Sequence, residues 1–313
     1  MSRTKFFLYL LLLLTLTFLT NYFFFLSKKK SEAQENAKKI ESILSEYFGY
    51  TEKILVFIGS KISNNDNYNN LPAIYKIFTD AAYSQGYNDV FSWTMFDWVN
   101  RQDQQTVNTL TGVNTKNPAD MSKRGYTWKG RAEFWTLRFS SPTIGNPSDM
   151  HVIPVGVGIP NKNNSYVGNI AVGISIKKLT NKIEPFLSKG NRFSIVNYSD
   201  YSYIFGSHNP DSIYELKNLS QYSKYAKNRS KKNDFPSSDF LDDNLEIGNN
   251  EYVYSRAMDA KYPYIILTGY NKHEFWREVI SSSLLFFMQA TVASIIVLLI
   301  VHRFQKSRFD ENF

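Results

Sequence analysis

Two long apolar runs bracket the chain, and the segment between them alternates on shorter periods. Residues 6–26 (FFLYLLLLLTLTFLTNYFFFL) carry no charge, and residues 280–301 have Gln289 as their main polar side chain. About 20 apolar residues suffice to cross a bilayer core as a helix, so both runs predict transmembrane helices. A cleavable signal has a shorter apolar region, about 7–15 residues, ending in a small-residue cleavage site. The first run is longer and leads into SKKKSEAQ, which favours an uncleaved anchor. Beyond it, residues 31–63 place Ile40, Leu44, Tyr47, Thr51, Ile54 and Ile58 at alternating spacings of four and three. That spacing predicts a long helix with one apolar stripe. The stripe fits a homodimer seam or packing on the chain's own sheet.

The middle of the chain reads as strands. DVFSWTMFDWV and TVNTLTGV, separated by NRQDQQ, predict a hairpin. LRFSSPTIG, MHVIPVGVGIP and YVGNIAVGISIKKL predict three more strands, the last two joined by the polar turn PNKNNS. Pro72 suits the first turn of a helix running to about Tyr83. LTNKIEPFLSKG predicts a short connecting helix ending at Gly190. A smaller set of strands follows in RFSIVNYSD, YSYIFGSH, NEYVYSRAM and YPYIILTGY, with a helix-like YELKNLSQYSKYAK among them. NKHEFWREVI then runs as a helix into the second apolar run. The expected class is α+β, with five antiparallel strands behind one long helix and a second, smaller sheet.

Composition removes several function classes. The 313 residues include no cysteine, which excludes disulfides, zinc–thiolate sites and thiol catalysis. A net charge of +8 invites a nucleic-acid reading, but its location argues otherwise. Arg3, Lys5, Lys28, Lys29, Lys30, Arg303, Lys306 and Arg308 flank the apolar runs, against Asp310 and Glu311 alone, which leaves +2 for residues 31–278. Such basic flanks meet lipid headgroups. The aromatics are not interleaved with Lys and Arg, so the chain does not read as a nucleic-acid platform. None of the four histidines forms an HExxH pair, and there is no GxSxG, Walker or GxGxxG motif. Asp242 and Asp243 sit in a polar loop that reads as solvated. No catalytic residue, metal site or cofactor is expected.

Candidate binding chemistry gathers between Asn117 and Leu179. Arg124, Tyr126 and Trp128 fall within five residues of a polar, glycine-containing loop. An arginine fork beside a phenol and an indole suits a small carboxylate; the same aromatics could equally cap the sheet from a surface loop. Pro118, Asp120, Ser122, Arg124 and Tyr126, then Ser140 or Ser141, Pro142 and Gly145, then Val152–Pro154 and Gly168–Ser175, follow a recurrent order. In that order the stretch resembles the ligand-binding segment of bacterial double Cache (PDC-type) extracytoplasmic sensor domains. The resemblance implies two stacked PAS-like antiparallel lobes behind the long helix, flanked by two transmembrane helices. The expected organisation is a tail at 1–5, a span at 6–26, the long helix at 31–63, a distal lobe at 64–188, a proximal lobe at 189–278, a span at 280–301 and a tail at 302–313.

The same resemblance implies a non-enzymatic sensor, with Arg124 pairing a ligand carboxylate and Tyr126 and Trp128 closing over it. Trp93, Trp135 and Phe139 are secondary candidates for the pocket lining. Many amino-acid-binding members place an Asp just before the final Ile-Ser; Gly173 stands there, which favours an organic acid without an α-amine. Expected partners are this ligand, membrane lipid, a second copy through the long helix, and a separate signalling protein, since about a dozen residues follow Val301. A detached or truncated receptor half, or a ligand-free envelope assembly protein, are the competing readings. Basic termini and the sensor-like segment place residues 31–278 outside the inner membrane and both tails in the cytoplasm. Alkaline phosphatase fused near Asn228 is therefore expected to be active; an inactive fusion there with an active one at Phe313 would reverse the orientation.

Overall fold

The computed structural model describes residues 3–64, 66–84, 93–145, 150–187, 191–197, 203–207, 240–241, 251–258 and 261–310. The chain opens with α1 (Arg3–Asn64), a single 62-residue helix. The elements expected at 6–26 and 31–63 are therefore continuous. Nothing between them breaks a helix: the first proline is Pro72, and Gly49 and Gly59 are the only glycines before Asn64. Asp66 then turns the chain with a left-handed φ of 53°. In α2 (Leu71–Ser84) the Asn70 Oδ1 accepts the Ala73 N–H at 3.1 Å, and Pro72 occupies the first turn.

Next come β1 (Trp93–Asn100), β2 (Gln104–Asn108), β3 (Gly112–Val113), β4 (Ala119–Asp120), α3 (Gly125–Ala132), β5 (Leu137–Phe139), β6 (Thr143–Ile144), β7 (His151–Pro160) and β8 (Tyr166–Ser175). They form an eight-stranded antiparallel sheet in the order β3-β2-β1-β8-β7-β5, with β4 on β2 and β6 on β7. The β7–β8 hairpin pairs Val152 with Ser175 at one end and Pro160 with Tyr166 at the other. Its turn is closed by Asn161, whose Oδ1 accepts the N–H groups of Asn163 and Ser165 at 3.0 and 2.9 Å. After α4 (Ile176–Ile183), the strands β9 (Asn191–Asn197), β10 (Tyr203–Gly206), β11 (Phe240–Leu241), β12 (Glu251–Ala257) and β13 (Tyr264–Asn271) make a separate sheet ordered β10-β9-β13-β12-β11. The helix expected in YELKNLSQYSKYAK lies outside the described residues. α5 (Lys272–Asp310) ends the chain.

Packing divides the chain into two compact units, Asn36–Asp239 with Ser255–Thr268, and Met1–Glu35 with Phe240–Tyr254 and Gly269–Phe313. In the first of these, Ile40, Leu44, Tyr47, Thr51 and Ile58 are buried, so the apolar stripe of α1 is used by the chain's own packing. It is not free to serve as a dimer seam. Phe48 beside it lies 5.0 Å from Phe139 and 5.3 Å from Tyr262. Glu52 accepts the Leu137 N–H at 3.0 Å and pairs with Lys261. In the other unit, Tyr270, Phe275 and Val279 pack with Phe18, Tyr22, Phe25 and Leu26. The buried Asn21 amide donates to Ser283 Oγ at 3.2 Å, and Lys29 pairs with Glu278 at 3.7 Å. Among the described residues, two helices are long and apolar enough to cross a membrane, by length and composition.

The two glycines of α1 separate packing from helix propensity. A Cβ on Gly49 would meet only the Tyr262 hydroxyl at 3.7 Å, whereas one on Gly59 would lie 2.3 Å from Ile159 Cδ1 and 3.0 Å from Trp135 Cζ3. Gly49→Ala is expected to raise stability by about 0.5–1 kcal/mol. Gly59→Ala is expected to lower it by roughly 1–3 kcal/mol through overpacking. Unfolding of the full chain in detergent micelles measures both.

Candidate functional site

The site begins where β4 turns into α3. Asp120 Oδ1 accepts the Ser122 N–H at 2.9 Å, and the Arg124 N–H reaches Met121 O at 3.0 Å. This bond to the Ser122 amide holds the Asp120 carboxyl below its ordinary range. Arg124 is extended, at φ −79° and ψ 130°, and caps α3. Gly125–Ala132 is thus helical where a loop was expected, and helical geometry separates the predicted side chains. Residues two apart point to different faces of a helix, so Tyr126 is buried (3% exposed) while Trp128 faces solvent (57% exposed).

Missing side chains on the sheet let α3 come close. A Cβ on Gly156 would lie 2.8 Å from Tyr126 Cδ2, so the ring takes the space a side chain would fill. A Cβ on Gly158 would lie 2.0 Å from Gly130 O, which means that helix and strand backbones touch. Tyr126 packs there with Val99, Ala171 and Met121. At the far end of α3, Arg131 pairs with Asp103 at 2.5 Å, tying the helix to the β1–β2 turn.

This docking leaves a cleft of about 50 Å³ whose lining includes Arg124, Tyr126, Asp97, Gln105, Thr143, Pro154 and Gly173. Asp97 is its buried acid, 8% exposed. Its Oδ1 accepts from Gln105 Nε2 and Asn108 Nδ2, each at 2.6 Å. The Asn108 amide has one orientation, because its own Oδ1 accepts the N–H groups of Leu110 and Thr111 at 2.7 and 3.1 Å. Burial pushes the Asp97 carboxyl up to about 7, against the opposing pull of the two amides and of the Arg124 charge. Burial, and then the Asp97 charge, push the Tyr126 phenol up as well. Among the described residues, Arg124 makes no ion pair, although it lines the same cleft as Asp97 and its charge acts on that carboxyl.

No known family profile matches the sequence, and no curated protein does either. Solved structures do match its backbone. One is an extracellular domain assigned to a histidine kinase, rpHK1S-Z16, with a TM-score of 0.59 at 15% identity over 79% of this chain and 95% of that one. The ligand-binding domain of Campylobacter jejuni chemoreceptor Tlp3, in complex with L-norvaline, gives a TM-score of 0.52 at 12% identity over 80% and 93%. That of Pseudomonas fluorescens chemoreceptor CtaA, in complex with L-alanine, gives 0.52 at 14% over 76% and 95%. The backbone fold is one that these extracellular and ligand-binding domains share.

Arg124 and Tyr126 line the cleft, whereas Trp128, Trp135 and Phe139 lie elsewhere. Trp128 projects outward beside Lys129, whose ammonium lies 5.1 Å from the ring. Trp135, at a left-handed φ of 62°, sits against α1 at Gly59. Phe139 is buried in the aromatic core, 5.2 Å from Tyr264. The Trp93 backbone pairs with Ile174, and its side chain lies outside the described residues. Asp97 and Gln105 were not anticipated. Asp97 had a signal: it is a lone charge inside the apolar run FSWTMFDWV, and a buried carboxylate needs partners or a proton.

Asp97 makes the stability of the fold depend on pH with a defined sign. An unfolded aspartate titrates near 3.8 and the folded one near 7, so the folded chain holds an extra proton between them. The group's contribution is complete below 3.8 and is lost as pH rises through 7. The melting temperature should therefore fall between pH 5 and pH 8 in the wild-type chain, and fall less in Asp97→Asn.

Proposed function

We propose that the chain is a membrane-anchored extracytoplasmic sensor whose α3 cleft binds a small carboxylate. Arg124 carries this reading. It is a half-buried guanidinium on the rim of a cleft, paired with no carboxylate among the described residues. A planar guanidinium suits a carboxylate bidentately. Asp120, the internal acid that could have neutralised it, is engaged by Ser122 instead. The cleft's volume of about 50 Å³ favours an acid of few atoms. Structural neighbours bound to L-norvaline and L-alanine support a small-molecule ligand, while Gly173 in the lining offers no side-chain acceptor to an α-amine. The two apolar helices would anchor the domain, with residues 31–278 outside the inner membrane.

A thermal-shift panel of acetate, propionate, lactate and succinate on the full chain in detergent micelles tests this reading. An acid present at a hundred times its dissociation constant should stabilise the fold by about 2.7 kcal/mol. Arg124→Ala should abolish the shift, and Arg124→Lys should restore little of it, since lysine lacks the planar fork. Shifts that survive Arg124→Ala, or no shift with any acid, would remove the carboxylate assignment.

A further inference from the structure

Besides Arg124, the cleft holds a second group, Asp97, that a bound carboxylate would approach. The Asp97 Oδ1 already takes two amide N–H groups, and the orientation of Asn108 is fixed by the turn behind it. Oδ2 has no hydrogen-bond partner among the described residues, and it is not among the fully enclosed polar atoms. It is therefore the oxygen left to meet a ligand. Two ionised carboxylates brought together in a site repel, and one of them takes up a proton. A proton on Asp97 has one place to go, because Oδ1 faces two donors. It would sit on Oδ2, where an O–H can donate to a ligand oxygen in a short charge-assisted bond.

We propose that the cleft binds a monocarboxylate together with a proton, Arg124 pairing with the anion while the acid form of Asp97 donates to it from Oδ2. This rests on the carboxylate reading above and adds its regulation by pH. The groups facing Asp97 are few. α3 brings Arg124 and Tyr126, whose buried phenol stays neutral; β2 brings the Gln105 and Asn108 amides. Met95 of β1, Thr143 of β6, Val152 and Pro154 of β7, and Ala171 and Gly173 of β8 carry no charge. Arg124 is thus the one full charge acting on Asp97 among the described residues lining the cleft. A bound anion would engage that charge and add a negative one, and both effects strengthen the hold of Asp97 on its proton. Burial already keeps that proton on up to about pH 7. Affinity should be level on the acid side and should weaken about tenfold per pH unit above neutrality.

Calorimetric titration of the full chain in phosphatidylcholine nanodiscs with acetate, from pH 5.5 to 8.5, tests the inference. Above neutrality, buffers of different ionisation enthalpy should reveal uptake of about one proton per acetate. At pH 8.5, Asp97→Asn should bind acetate at least tenfold more tightly than wild type, since its amide donates without a proton. Affinity that is flat with pH, affinity that rises with pH, or binding without proton uptake would overturn the coupling while leaving Arg124 as the carboxylate anchor. Loss of acetate binding in Asp97→Asn at pH 6, with wild-type melting retained, would overturn it too. Acetate heats equally absent from wild type and Arg124→Ala at every pH would overturn the carboxylate reading and the proton coupling together.

Discussion

α3 meets the sheet backbone to backbone, and the site depends on that contact. An eight-residue helix is too short to be stable by itself in water, so its position comes from what it lies against. Gly156 receives the Tyr126 ring and Gly158 receives the Gly130 carbonyl. With the helix seated there, the residue that caps it, Arg124, reaches the edge of the cleft, and Trp128 is turned away from it. The ion pair of Arg131 with Asp103 holds the other end. Side chains and capping refine a placement that two absent side chains on one strand make possible.

The electrostatics of the cleft follow from what each charge has nearby. Asp97 is enclosed by the sheet and receives two amide donors on one oxygen, a partial compensation for the water it has lost. Arg124, half-buried at the helix cap, keeps part of its hydration. Had the two closed into an ion pair, each would have neutralised the other and the cleft would have been spent. Unpaired, they leave a small polarised space lined by both a cation and a titrating acid. The core beside it is apolar, with Phe96 and Trp98 of β1 and Phe78 of α2 fully buried.

The strands, the long helix and the apolar ends were legible because each follows a single period over many residues. The β7–β8 hairpin was announced by its Asn-rich turn, and Arg124 and Tyr126 by their order within the Cache-like segment. Trp128 was misplaced for a physical reason: a short, polar stretch with two glycines carries almost no helical signal, and a helix alone reverses the facing of residues two apart. Asp97 was harder to see because its role depends on the register that brings Gln105 and Asn108 of β2 against it and on the docking of α3 beside it. The glycines of β7 read as interruptions in a strand, although their spacing of two already placed both on one face. The stripe on α1 was ambiguous in the sequence because a dimer partner and a sheet of the same chain present the same apolar surface.

One polar pair among the apolar helices has a mechanical consequence. Asn21 of α1 finds Ser283 on α5 inside an aromatic setting, where an unpartnered amide would be costly. Sliding α5 by one turn, about 5.4 Å, would bring Ile280 or Phe287 opposite Asn21 and leave the amide without an acceptor. Turning α5 by about 100° would instead present Ser282, the neighbouring hydroxyl in a run of three serines. The pair behaves as a detent against axial displacement, whereas what opposes twist is the packing of Phe275 and Val279 against Phe18, Tyr22, Phe25 and Leu26.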